Sequence, residues 1–168
     1  MIFAKIAEFL QLEYIYAQHD PSCNTINPVD TRNFYLKQDS SPTKIILAED
    51  NLVNQKIALR ILEKLGYGAD VVSNGREAIL ALQKQSYDLV FMDVQMPEMD
   101  GLEATHQICK LWPPEQRPII IGMTASQEEK DRKLCLEAGM TDFVPKPIHV
   151  DEIKNILAKY LPKKVSEI

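Results

Sequence analysis

Residues 89–101 read LVFMDVQMPEMDG. Four apolar residues, Leu89–Met92, run directly into Asp93. A proline-containing turn follows, then Gly101 and a stretch that fits a helix to Leu111, stopped before Pro113-Pro114. A strand this short and continuously apolar suits a parallel sheet covered on both faces, where neither side of the strand meets water. The same unit recurs on either side. Lys44–Ala48 (KIILA) precedes Glu49, Asp50 and apolar residues at helical spacing, Leu52, Val53, Ile57, Ile61, Leu62 and Leu65, with Gly66 near the stop. Ala69–Val72 precedes a helix opened by Asn74. Ile119–Met123 (IIIGM) precedes one over Gln127–Ala138 closed by Gly139, and Phe143–Val144 precedes one over Val150–Leu161 ending at Pro162. Five strands alternating with five helices predict a doubly wound α/β layer structure with right-handed crossovers.

In open sheets of this kind chemistry gathers beyond the carboxyl ends of the strands. Those positions hold Glu49 and Asp50 after the first strand, Asp93 after the third, Thr124 after the fourth and Lys146 after the fifth. Three carboxylates brought together repel unless a cation sits among them, and oxygen donors select a hard ion such as Mg²⁺. Asp93 is placed to act as a nucleophile, its carboxylate attacking phosphorus to form an acyl phosphate. Lys146 would neutralise developing charge and Thr124 would donate its hydroxyl to the new phosphoryl group. Each residue alone has a plainer reading. Glu49-Asp50 could cap a helix, Asp93 could be a loop acid, Thr124 could open a helix, and Lys146 could be a solvated turn residue between Pro145 and Pro147. What outweighs those readings is the set, each member at the end of its own strand.

The chain has 168 residues, 45% hydrophobic and 26% charged, with a net charge of −5. This fits one ordinary soluble domain with a short appendage. The acidic balance argues against direct, non-specific nucleic-acid binding. Cys23, Cys109 and Cys135 are scattered, which reads as reduced thiols in the cytoplasm and not as a disulfide frame or zinc site. No apolar run approaches the length of a membrane span, and Lys5, Glu8 and Glu13 interrupt the first residues in a way unlike a signal peptide. Residues 1–18 carry Phe3, Ile6, Leu10 and Tyr14 at helical spacing, an amphipathic extension. Packing on something nearby, dimerisation and the end of a neighbouring domain all remain open for it. Residues 19–42 read as a linker, 43–163 as the main domain and 164–168 as a tail.

The strings LAEDN (47–51), FMDVQMPEMDG (91–101), GMTA (122–125) and FVPKP (143–147) resemble the receiver domains of two-component response regulators. Order and intervals match over residues 43–161, about 70% of the chain, and EDNLVNQKIA (49–58) is most like the receivers of hybrid histidine kinases. The resemblance implies a flavodoxin-like, five-stranded parallel sheet in the order 2-1-3-4-5 flanked by five helices. It implies that Asp93 takes a phosphoryl group from a phosphohistidine on a histidine kinase or phosphotransfer protein. Mg²⁺ would be held by Asp50, Asp93 and the backbone carbonyl of Gln95, with Glu49 acting through water. Thr124 and Phe143 occupy the switch positions. Thr124 would move toward the phosphate, the ring at 143 would turn inward, and the face of the fourth helix, fifth strand and fifth helix would change shape for a downstream effector.

Some features of the resemblance carry less. Phe143 has no hydroxyl, and Gln95 and Ser126 stand where the family varies and tunes phosphoryl lifetime. The bond after Lys146 is typically cis in the family. The resemblance implies a signalling phosphoacceptor, not an enzyme with turnover. The chain is either a stand-alone shuttle or the receiver portion of a longer hybrid kinase, and a homodimer through the N-terminal helix or the switching face is open. A phosphohydrolase of the haloacid-dehalogenase kind would need a proton-donating Asp where Gln95 stands. A docking module that no longer accepts phosphate would have lost an acid, the nucleophile or the lysine, and a kinase would need a glycine-rich nucleotide loop.

Overall fold

Five parallel strands form one sheet in the order β2-β1-β3-β4-β5, with β1 Ile45–Ala48, β2 Asp70–Val72, β3 Leu89–Asp93, β4 Ile119–Thr124 and β5 Asp142–Pro145. The helices are α1 Leu52–Lys64, α2 Gly75–Lys84, α3 Gly101–Leu111, α4 Glu129–Ala138 and α5 Val150–Tyr160, with a 3₁₀ turn at Pro114–Gln116. The structure is a computed structural model that describes residues 42–125 and 128–161. The expected N-terminal helix, nearly all of the linker, Ser126, Gln127, Pro162, Lys163 and the tail lie outside the described residues.

The apolar strands do what their composition demands. All of β1 and all of β3 are buried, because helices cover both faces of the sheet. Alternate residues feed two cores. Ile45, Leu47 and Phe91 pack with Ile61 and Leu62 of α1 and Ile153 and Leu157 of α5. Ile46, Ala48, Val90 and Met92 pack on the other face with Ala78 and Ile79 of α2 and Ala104 and Ile108 of α3. Helix starts are set by side chains that take up orphan N–H groups. The Asn51 side chain accepts from the N–H of Val53 and of Asn54, Asn74 from that of Glu77, and Asp100 from that of Glu103. At the other end of α4, Gly139 adopts φ 106°, a left-handed cap that a side chain would resist. Arg117 closes α3, its Nε donating to the Trp112 carbonyl at 2.7 Å and its Nη2 to that of Cys109 at 2.6 Å.

Element ends differ from the sequence expectation by a residue or two, as frayed ends do. β4 extends to Thr124 and β5 to Pro145 because these two residues are register partners. The 3₁₀ turn after Pro113 was not foreseen. A larger difference concerns α1. Leu52, Val53 and Ile57 share helical spacing with Ile61, Leu62 and Leu65, yet they are exposed by 69%, 64% and 46%. The buried stripe runs through Gln55, Ala58, Ile61 and Leu62. At about 100° per residue, Val53 falls on the far side of that stripe and Leu52 and Ile57 on its flanks.

Both sheet edges are short: β2 has three residues, and β5 has four, ending in Pro145. Register places Ala48 beside Met92, Asp93 beside Met123 and Thr124 beside Pro145. The residues following the strands therefore meet along one edge.

Gly101 lets α3 begin directly against the end of β3. A Cβ there would collide with the backbone carbonyl of Asp93 and stand 2.9 Å from Met92 Cγ. Backbone cannot yield as a flexible side chain can. Gly101→Ala is expected to cost about 3 kcal/mol by overpacking. Gly68→Ala, whose added methyl meets nothing within 4 Å, should stay within about 0.5 kcal/mol of the parent. Urea unfolding of the two variants checks this, and equal stabilities would contradict the packing argument.

Candidate functional site

Four strand ends build the site. Glu49 follows β1, its N–H bonded to the Val72 carbonyl at 3.0 Å, and is 1% exposed. Asp50 beside it is exposed. Asp93 closes β3 and is 5% exposed, like Thr124 at the end of β4. Lys146 follows β5, held by a 2.7 Å bond from its backbone N–H to the Thr124 carbonyl. The Lys146–Pro147 peptide is cis.

One ammonium joins these elements. Lys146 Nζ lies 2.6 Å from Glu49 Oε2 and 2.6 Å from Asp93 Oδ2. The remaining oxygens are also bonded. Glu49 Oε1 accepts from the Asn51 N–H and from Asn54 Nδ2, each at 3.1 Å, and Asp93 Oδ1 accepts from the Gln95 N–H at 3.1 Å. The cleft above has a volume of about 470 Å³ and is lined by Glu49, Asp50, Asn51, Asn54, Asp93, Val94, Gln95, Leu102, Thr124, Ala125, Asp131, Leu134 and Lys146.

Charge in this cleft is unbalanced toward the negative. Burial pushes the Asp93 carboxyl up from its ordinary value, and the hydrogen bonds from Lys146 and the Gln95 N–H offset that only in part. The neighbouring Glu49 charge adds a smaller push in the same direction. Burial acts to lower the Lys146 ammonium, but its bonds to Asp93 and Glu49 outweigh this and its pKa is raised. Burial decides the direction at Asp93, and pairing with two carboxylates decides it at Lys146.

Ligand oxygens of Glu49, Asp50 and Asp93 all lie within 4.8 Å of one another. An all-carboxylate set of this kind matches the needs of a hard divalent ion. Every strand-end residue singled out in the sequence, together with Gln95, lines the cleft. Phe143 does not. It lies half-buried in β5 with the Arg132 guanidinium 4.4 Å from its ring centre. Sequence reasoning missed Asp131 and Leu134, which α4 brings to the cleft. It also assigned no part to Asn54, although its place one helical turn after Asn51 was a usable signal.

The fold is of the flavodoxin-like class, with its acidic cluster and lysine on the carboxyl edge of the sheet. Residues 45–158 match the response regulator receiver domain family, and the chain belongs to that family. It is a receiver domain of the two-component phosphorelay type. The chain is 38% identical over 167 residues to a probable histidine kinase 1 of Oryza sativa subsp. indica, covering 79% of this chain and 17% of that protein. It is 45% identical over 120 residues to hybrid signal transduction histidine kinase B of Dictyostelium discoideum, covering 66% and 6%. It thus spans a small part of the length of these relatives.

Among solved structures, the chain is similar to the receiver domain of sensor histidine kinase PA1611 of Pseudomonas aeruginosa. That structure has a magnesium ion coordinated in its active-site cleft; the TM-score is 0.65 and the identity 37%, over 71% of this chain and 98% of that one. It is also similar to a Saccharomyces cerevisiae co-crystal structure of a histidine phosphotransfer protein and the receiver domain of its downstream response regulator. There the TM-score is 0.66 and the identity 26%, over 71% and 88%.

The raised pKa of Asp93 has a consequence for stability. Between its ordinary value of 3.8 and its higher folded value, the folded chain holds a proton that the unfolded chain has released. Stability therefore falls as pH rises through that window, and the loss is complete above it. Asp93→Asn carries no such charge. The variant is expected to be more stable than the parent at pH 7, with the difference vanishing as pH falls toward 3.8. Thermal unfolding across that range tests it, and a variant less stable at pH 7 would refute the account.

Proposed function

We propose that this receiver, residues 43–163, accepts a phosphoryl group on Asp93 from a phosphohistidine. The observation that carries the reading is the Asp93 carboxylate at the end of β3, bonded to Lys146 Nζ at 2.6 Å and opening on an acidic cleft. One carboxylate oxygen would form a bond to phosphorus as the nitrogen–phosphorus bond of the donor breaks, the imidazole nitrogen keeping the electron pair. Lys146 is placed to balance charge on the phosphoryl oxygens, and Thr124 lines the same cleft and would contribute its hydroxyl. The group would stay on Asp93 as a signal, with slow self-dephosphorylation the only further chemistry.

Mg²⁺ would be held by Asp50, Asp93 and the Gln95 carbonyl. Both oxygens of Glu49 are already engaged by Lys146, Asn51 and Asn54, which supports a role for Glu49 through water. When bound, the ion supplies positive charge against the carboxylates and phosphoryl oxygens. Phosphorylation would draw Thr124 toward the phosphate, turn the Phe143 ring inward and reshape the α4-β5-α5 face for an effector. Free Cys109 and Cys135 suit a reducing, cytoplasmic setting. Among the described residues no helix is long and apolar enough to cross a membrane.

Intact-mass measurement after incubation with acetyl phosphate and Mg²⁺ tests the assignment. One added phosphoryl group is expected in the parent and none in Asp93→Asn. Absence of any adduct, together with no binding of beryllofluoride and Mg²⁺, would end the phosphoacceptor reading. A donor protein would reach Asp93 past α1, whose cap Asn51 and residue Asn54 line the cleft and whose Leu52, Val53 and Ile57 lie exposed. Val53→Glu is expected to slow transfer from a histidine phosphotransfer protein by about tenfold, the loss of one apolar anchor. Labelling by acetyl phosphate should be unchanged, and equal slowing with both donors would exclude α1 as the docking face.

A further inference from the structure

The ring of Phe143 makes a contact that no sequence motif announces. Phe143 lies in β5, three residues before Lys146, and the Arg132 guanidinium sits over its face at 4.4 Å. Arg132 is exposed near the start of α4, and its neighbour Asp131 lines the acidic cleft. A single helical turn thus faces the cleft with one residue and the ring with the next. The strand beneath is anchored independently: the Asp142 carboxylate accepts from Lys159 Nζ at 2.8 Å and from the Tyr160 hydroxyl at 2.9 Å, both from the end of α5. With Asp142, the residue before Phe143, tied to α5 through its side chain, a change at position 143 falls mainly on the ring and its contact with Arg132.

We propose that Arg132 is a positioning residue for the switch, its guanidinium holding the Phe143 ring at the surface in the unphosphorylated protein. This rests on the phosphoacceptor reading and adds to it a residue outside the family motifs. A cation over an aromatic face is attracted by the ring quadrupole, and a planar guanidinium stacks there better than a compact ammonium. Turning the ring inward gives that attraction up. New negative charge in the cleft repels Asp131 and so strains the same turn of helix, which is how the cleft would reach the contact. By linkage, whatever favours the outward ring weakens any ligand that prefers the inward one, by the same factor.

The test is a titration with beryllofluoride in the presence of Mg²⁺, followed by the backbone amide NMR signals of the cleft, with the Phe143 ring signals recorded wherever that ring is present. In Arg132→Gln, affinity is expected to rise about two- to fivefold, the worth of one exposed cation–π contact. The ring signals of the free variant should lie partway toward their bound positions. Arg132→Lys should fall between the parent and Arg132→Gln. In a Phe143→Leu background Arg132→Gln should change nothing, because the contact is already gone. A purely structural role would lower stability in Arg132→Gln without moving affinity or ring signals, and that result overturns the proposal. Failure of the parent itself to bind beryllofluoride would instead bring down the phosphoacceptor reading, and the switch role of Arg132 with it.

Discussion

The Lys146 ammonium, 2.6 Å from both Glu49 and Asp93, is the interaction on which the rest of the site depends. It ties together the ends of β1, β3 and β5, residues 97 and 53 positions apart in sequence. Removing one partner from a buried ion pair leaves an uncompensated charge and costs roughly 3–5 kcal/mol. Here the loss would strand two carboxylates at once. The lysine is itself placed by backbone, through its bond to the Thr124 carbonyl, so β4 fixes the cation that steadies its neighbours. Site and fold are one construction at this edge.

That construction is deliberately incomplete in charge. A single ammonium serves Glu49 and Asp93 while Asp50 and Asp131 add negative charge to the same cleft. Proteins commonly give up stability at functional sites, and the raised pKa of Asp93 is the local form of that sacrifice. A group that removes or rearranges charge in such a cleft acts on a balance already far from neutral, so a small chemical change has mechanical leverage.

Much of this was legible in the sequence. LVFMD and KIILAED declare buried parallel strands ending in acids, and the rule that chemistry gathers at the carboxyl edge then places Glu49, Asp50, Asp93, Thr124 and Lys146 together. All five line the cleft. What was hidden depends on side-chain direction or on contacts distant in sequence. Periodicity groups Leu52, Val53 and Ile57 with the core residues of α1, but only the docked helix shows which side meets the sheet. Asp131 and Leu134 reach the cleft through the packing of α4, which no local pattern encodes. Glu98 adopts φ 64° in the turn after β3, a conformation that favours glycine, although a glutamate after proline gives no sign of it.

The short edge strands bear on how the molecule behaves in a crowd. An open sheet offers its outer N–H and C=O groups to any other chain that can extend it. β2 presents three residues beginning with Asp70, and β5 presents four beginning with Asp142 and ending in Pro145, which has no N–H to give. Neither rim is long enough or uniform enough to template a second copy, so the three central apolar strands can remain highly cohesive without seeding aggregation.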